Sequence, residues 1–163
     1  MMDSRSNEFK TKTILMAEDD DDDRLLTRDA LTQAQVLNDF HCVRDGVELM
    51  DYLKQRGKYE DSKRYPLPGL ILLDLNMPKL DGRAALRQLK SDPQLRSIPV
   101  IVLTTSKEEE DMLGAYDLGA ASFITKPVTF DKLVELMRLL GQYWIGFVQL
   151  PDASRARRDL RCM

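Results

Sequence analysis

The side chains of this chain that could do chemistry are Glu18-Asp19, Asp74, Asn76, Thr104-Thr105 and Lys126-Pro127. Asp74 closes the apolar run Leu70-Ile71-Leu72-Leu73, which reads as a buried strand. Carboxylates are seldom buried without a partner. A cluster of them is self-repelling, and its members raise one another's pKa unless a cation removes the conflict. Mg²⁺ suits such a site: it takes oxygen ligands, one or two carboxylates plus a phosphate, and keeps several waters. Lys126 supplies a point charge for a phosphoryl oxygen, and the Thr104 hydroxyl can donate to another. Phosphoryl transfer asks mainly for positioning and electrostatic stabilisation. The set fits an Asp74 nucleophile that carries the group as an aspartyl phosphate, with Mg²⁺ as cofactor.

These groups meet only if the elements around them place them together. Apolar strand-like runs alternate with helical patterns, which predicts an α/β fold, a parallel sheet with helices on both faces. The strands are expected at residues 13–17, 40–43, 70–74, 99–104 and 121–125. The first helix is expected over residues 23–34, with Leu26, Ala30 and Ala34 at four-residue spacing. Asp45 and Glu48 form a capping box for a second helix burying Val47, Met50 and Leu53, with Gly57 as its stop. Residues 58–68 read as a loop on the side of the sheet away from the chemistry. A third helix covers residues 82–90 and ends before Pro93. Ser106 and Glu109 form a second capping box for a fourth helix, and Gly119 follows its end. The fifth starts near Thr129 and carries Leu133, Leu136, Met137 and Leu140. All the chemical groups then fall at strand C-termini, the edge where doubly wound sheets bind ligands.

Composition narrows the class. The net charge of −3 lacks the clustered basic excess of a nucleic-acid footprint. Cys42 and Cys162 are far apart and in no metal-binding spacing, which suggests a reduced, cytoplasmic protein. No apolar stretch reaches the roughly 18 residues of a membrane span, and residues 1–10 lack a signal-peptide core. The single histidine, His41, reads as a strand residue. Asp21, Asp22 and Asp23 read as a solvated acidic helix start. There is no P-loop or dinucleotide fingerprint.

Five pieces, in this order and spacing, resemble the receiver domain of two-component response regulators: Ile14-Leu15-Met16-Ala17-Glu18-Asp19, Leu73-Asp74-Leu75-Asn76-Met77-Pro78, Asp81-Gly82, Val102-Leu103-Thr104-Thr105 and Lys126-Pro127. The resemblance covers about residues 13–143. It implies a flavodoxin-like sheet of strand order 2-1-3-4-5, with Asp74 as phosphoacceptor. Asp19 would bind Mg²⁺ directly, Glu18 through water and Asn76 by its carbonyl. Thr104 and Lys126 would hold the phosphoryl oxygens, and Thr105 would flank the entry path. Phe123 falls at the family's aromatic switch position, where Tyr is frequent; the hydroxyl is missing here.

Asp81-Gly82-Arg83, Leu95-Arg96-Ser97-Ile98-Pro99-Val100, Lys126-Pro127-Val128 and Tyr143-Trp144 are similar to single-domain regulators paired with bacterial phytochromes. That likeness implies a phytochrome-type histidine kinase as partner. It also implies a homodimer through the fourth helix, fifth strand and fifth helix, helped by a C-terminal arm. The expected organisation is a tail at 1–11, a receiver domain at 12–145, and an arm and basic tail at 146–163, without a separate effector domain. Two other functions compete: a phosphorylation-independent interaction module, and a haloacid-dehalogenase-type phosphohydrolase. The second wants a carboxylate two residues after the nucleophile, where this chain has Asn76.

Overall fold

A computed structural model of the chain describes residues 12–105 and 108–147. Five strands and five α-helices alternate in it: β1 (Ile14–Ala17), α1 (Asp21–Gln33), β2 (Phe40–Val43), α2 (Gly46–Leu53), β3 (Leu70–Leu73), α3 (Gly82–Ser91), β4 (Val100–Thr104), α4 (Glu109–Asp117), β5 (Ser122–Thr125) and α5 (Phe130–Leu140). All strands pair in parallel, in the order β2-β1-β3-β4-β5. The α/β class and the strand order are those expected.

The middle strands are apolar throughout because both their faces are covered. Alternate residues feed two cores. Leu15, Ala17, Ile71, Leu73, Val100 and Val102 pack on one face with α2 and α3 residues. Ile14, Met16, Leu70, Leu72, Ile101 and Leu103 pack on the other with α1 and α5 residues. Truncating any one of these leucines to Ala would cost about 2–5 kcal/mol.

Side-chain caps fix four helix starts. The Asp20 carboxylate accepts from the N–H groups of Asp22 and Asp23 at 2.9 and 3.1 Å. Asp45 accepts from Glu48 N at 2.8 Å, Asp81 from Ala84 N at 2.9 Å and Thr129 from Lys132 N at 3.3 Å. Each cap contributes about 1 kcal/mol.

Several local expectations are corrected. With its cap at Asp20, α1 starts two residues earlier than its apolar spacing suggests. It buries Thr27, Ala30, Leu31 and Ala34, while Leu26 is 43% exposed. Likewise α2 buries Leu49, Met50, Tyr52 and Leu53 and leaves Val47 outside. The Glu48 carboxylate reaches back to Arg44 N at 3.1 Å rather than to the N-cap residue. Two left-handed residues follow α2, Gln55 with φ 54° directly after its C-cap and Gly57 with φ 61°, which opens a 3₁₀ turn, Gly57–Tyr59. The N-cap of α4 is Glu108, whose side chain does not cap the helix N–H groups, and the expected cap Ser106 lies outside the described residues.

The loop after α2 folds back on α2 and β2 rather than lying wholly on the side of the sheet away from the chemistry: the Tyr59 hydroxyl donates to Glu48 Oε1 at 2.5 Å, in the first turn of α2, and Lys58 pairs with the same carboxylate. Tyr59 and Tyr65 stack edge-to-face with centroids 4.9 Å apart, and Tyr52 O–H donates to Pro66 O at 2.9 Å. Past α5 the chain continues as a π-helical segment, Gly141–Phe147. In it Ile145 is buried and Trp144 packs on the α1/α5 core, while Tyr143 is exposed. Val148, the arginines of the expected tail and Cys162 lie outside the described residues.

Candidate phosphoacceptor site

Parallel register brings the acids together. β1 and β3 are neighbours, with Ala17 opposite Leu73, so the residues that follow, Glu18 and Asp74, emerge side by side. Asp74 N donates to Ala17 O at 3.0 Å and Glu18 N to Val43 O at 3.0 Å, which extends the sheet's bonding up to the acids. Lys126 N donates to Thr104 O at 2.8 Å, which holds the lysine just beyond β5.

The side chains converge. Lys126 Nζ donates to Glu18, to Asp23 Oδ2 at 2.8 Å and to Asp74 Oδ2 at 3.3 Å. Asp74 Oδ1 accepts from Asn76 N at 3.1 Å, and the Thr104 hydroxyl also hydrogen-bonds this carboxyl. Glu18, Asp74 and Thr104 are buried, whereas Asp19, Asn76 and Thr105 are exposed at the rim. Asp19 to Asp23, Asp74, Asn76, Thr105 and Lys126 line an open cleft of about 610 Å³. Phe123 stands apart from this cleft. It is half-buried on β5 against the α2/α3 core, and its N–H donates to the Tyr116 hydroxyl at 3.2 Å.

The electrostatics divide the acids. Burial and the hydrogen bond with Asp74 push Glu18 up to about 9, against the pull of Lys126. Asp74 goes the other way. Burial raises it, but hydrogen bonds from Glu18 and the Asn76 N–H, the Lys126 charge and Thr104 together hold it below the usual carboxylate range. Burial lowers Lys126, but its bonds to Asp23 and Glu18 and their charges more than offset this, and it stays protonated. Of the two acids Glu18 is thus the weaker and Asp74 the stronger, the direction that favours a free carboxylate at Asp74, as a nucleophile requires.

One oxygen each of Glu18, Asp19 and Asp74 can lie within 4.8 Å of the others. Three hard oxygen donors beside an open cleft fit a divalent cation such as Mg²⁺.

Two residues beyond those expected belong here. Asp23, read from sequence as a solvated helix acid, contacts Lys126. Arg24 donates to the Glu18 carbonyl at 2.6 Å and pairs with Asp21, which pins the turn after β1. The signal for Asp23 was the helix start: with Asp20 as cap, Asp23 sits in the first turn beside the sheet edge.

A doubly wound sheet presenting this charge arrangement at its C-terminal edge is that of a phosphoacceptor signalling domain, and the chain belongs to the response regulator receiver domain family, which residues 14–138 match. The chain is 39% identical over 142 residues to the response regulator Rcp1 of Synechocystis sp. strain PCC 6803, covering 87% of this chain and 95% of Rcp1. A crystal structure of the Mn²⁺-bound form of Rcp1 superposes with a TM-score of 0.78 at 38% identity, over 86% of this chain and 99% of that one. The phosphorylated cyanobacterial phytochrome response regulator RcpA superposes with a TM-score of 0.80 at 41% identity, over 87% and 99%. Receiver domains are signalling proteins that accept phosphate from histidine kinases. No helix among the described residues is long and apolar enough to cross a membrane.

Proposed function

We propose that this chain is a cytoplasmic, phosphorylation-controlled switch whose phosphoacceptor is Asp74. The observation that carries this reading is the convergence of Lys126 and Thr104 on the buried Asp74 carboxyl at the strand C-termini, beside Glu18 and Asp19. An Asp74 oxygen attacks the phosphorus of a kinase phosphohistidine. The new O–P bond forms as the P–N bond breaks, and the electron pair stays on the imidazole. Lys126 and Thr104 hold the phosphoryl oxygens, and Thr105 flanks their way in. Glu18, Asp19, Asp74 and the Asn76 carbonyl would hold Mg²⁺, which when bound supplies charge neutralisation for the carboxylates and the phosphoryl group. Loss of the group occurs by attack of water on the same phosphorus, which breaks the Asp74 O–P bond, restores the carboxylate and releases inorganic phosphate.

The kinase we infer is a phytochrome-type histidine kinase, a reading supported by the likeness to RcpA. The output is a protein contact, including a homodimer, through α4, β5 and α5. Phosphate draws Thr104 inward, and this shifts that face, with Phe123 on it, between two populations. Exposed Leu113 and Tyr116 on α4 give it apolar area to bury.

Incubation with Mg²⁺ and acetyl phosphate, read by intact mass and by sizing, tests the reading. The expected result is one added phosphoryl mass, absent in Asp74→Asn, with earlier elution of the phosphorylated form. A mass gain retained in Asp74→Asn would place the acceptor elsewhere.

A further inference from the structure

Lys126 has three ammonium hydrogens and three carboxylate partners, Glu18, Asp74 and Asp23. A phosphoryl oxygen that is to reach Nζ must displace one of them. Glu18 is fully buried and Asp74 is the attachment point, so neither can withdraw. Asp23 differs from both. Its side chain is 36% exposed, it stands on α1 rather than at a strand end, and it is outside the acid trio that could hold a cation. The trio's charges fall when a cation binds, whereas the Asp23 charge stays. Asp23 is thus the one partner of Lys126 that is free to swing out and that opposes an incoming phosphoryl dianion throughout.

We propose that Asp23 is a positioning residue that competes with the phosphoryl group for Lys126 and so limits how long the protein stays phosphorylated. The inference rests on the reading of Asp74 as phosphoacceptor. The geometry behind it is the 2.8 Å contact between Asp23 Oδ2 and Lys126 Nζ, shorter than the 3.3 Å contact of the same ammonium with Asp74 Oδ2. The backbone role of Asp23 in the α1 cap, its N–H to the Asp20 carboxylate, survives any side-chain change. Asp22 is the natural control. It carries the same charge one residue earlier and is exposed, and the Lys126 ammonium pairs with Glu18, Asp23 and Asp74 rather than with it.

The full chain and its Asp23→Asn, Asp23→Glu and Asp22→Asn variants would be titrated with beryllofluoride in saturating Mg²⁺, by calorimetry. Each would also be labelled with acetyl phosphate, freed of donor, and followed by intact mass. Loss of one nearby charge partner predicts that Asp23→Asn binds beryllofluoride roughly three- to tenfold more tightly and keeps its label longer by a similar factor. Asp23→Glu should return both values toward the parent, and Asp22→Asn should move them less than twofold. An Asp23→Asn variant that matches Asp22→Asn, or that binds more weakly than the parent, overturns the competition. A parent that takes neither beryllofluoride nor a phosphoryl mass overturns the phosphoacceptor reading instead.

Discussion

Lys126 Nζ lies 3.3 Å from Asp74 Oδ2 although 52 residues separate them in the chain. The contact exists because β3 and β5 both flank β4 and all three run the same way, so their C-terminal ends open on one cleft. The fold's handedness and parallel pairing thus convert three distant sequence pieces into one charged site. Without its lysine that site is a set of buried carboxylates with no compensating side-chain cation from β5.

Replacing the cation alone should therefore destabilise the metal-free protein. Lys126→Met leaves Glu18, Asp74 and Asp23 without their shared partner, a loss of about 3 kcal/mol. For a chain of this size the Tm falls by roughly 6–12 °C. Mg²⁺ then raises the Tm by more in the variant than in the parent, because it replaces the missing charge. Thermal scans with and without Mg²⁺ check this, and a Tm equal to the parent's in metal-free buffer refutes it.

Gly82 carries a second constraint on Asp74. A Cβ at this position would stand 2.3 Å from the Asp74 carbonyl oxygen and 2.6 Å from Leu75 Cα. Both obstacles are backbone, so nothing can rotate away. Gly82→Ala should cost about 1–3 kcal/mol by overpacking, despite the better helix propensity of Ala. Because the strain falls on the strand end that bears Asp74, phosphoryl uptake from acetyl phosphate should slow as well. Urea midpoints and timed intact mass measure the two effects, and full uptake rate in a destabilised variant would separate the glycine from the site.

The main strands were legible because a strand covered on both faces must be apolar along its length, as Ile14–Ala17, Leu70–Leu73 and residues 100–103 are. The acids and the lysine were legible because they interrupt that pattern at its end. Helix phase was less so. An α-helix turns about 100° per residue, and the inward stripe of α1 contains the expected Ala30 and Ala34 but is completed by Thr27 and Leu31 rather than Leu26, while Asp23, in its first turn, reaches Lys126. Beyond Asp19, which directly follows Glu18 at the strand end, nothing within Asp20-Asp21-Asp22-Asp23 marks one acid as different; only the position of the cap does.

Away from the site, Glu48 should set part of the acid sensitivity. Burial raises its carboxyl, but the Tyr59 hydroxyl, the Arg44 N–H and Lys58 hold it below its ordinary value of 4.5. A depressed carboxyl contributes stability above its unfolded pKa, and that contribution is lost as pH falls through the lower folded value. The parent should therefore exceed Glu48→Gln in urea midpoint at pH 7, and the gap should shrink below about pH 4.5. A gap that stays constant down to pH 3 would show that the charge of Glu48 contributes nothing.

The attachment of α4 to β5 yields the last expectation. Among its described residues α4 buries only Ala115, while Leu113 and Tyr116 are more than 40% exposed. Its polar ties include the ion pair of Asp111 with Arg83 of α3, and the Tyr116 hydroxyl, which accepts the Phe123 N–H. Tyr116 thus supplies, from the helix, a hydroxyl at the strand residue that itself lacks one. In Tyr116→Phe the Phe123 amide loses that acceptor, worth about 1 kcal/mol. Its hydrogen exchange should then speed by roughly fivefold, the factor that corresponds to about 1 kcal/mol of local opening. Amides of β1 and β3 should keep their protection, since neither strand touches this bond. Residue-resolved exchange by NMR reads both, and an unchanged Phe123 amide would show that the tyrosine does not hold α4 to β5.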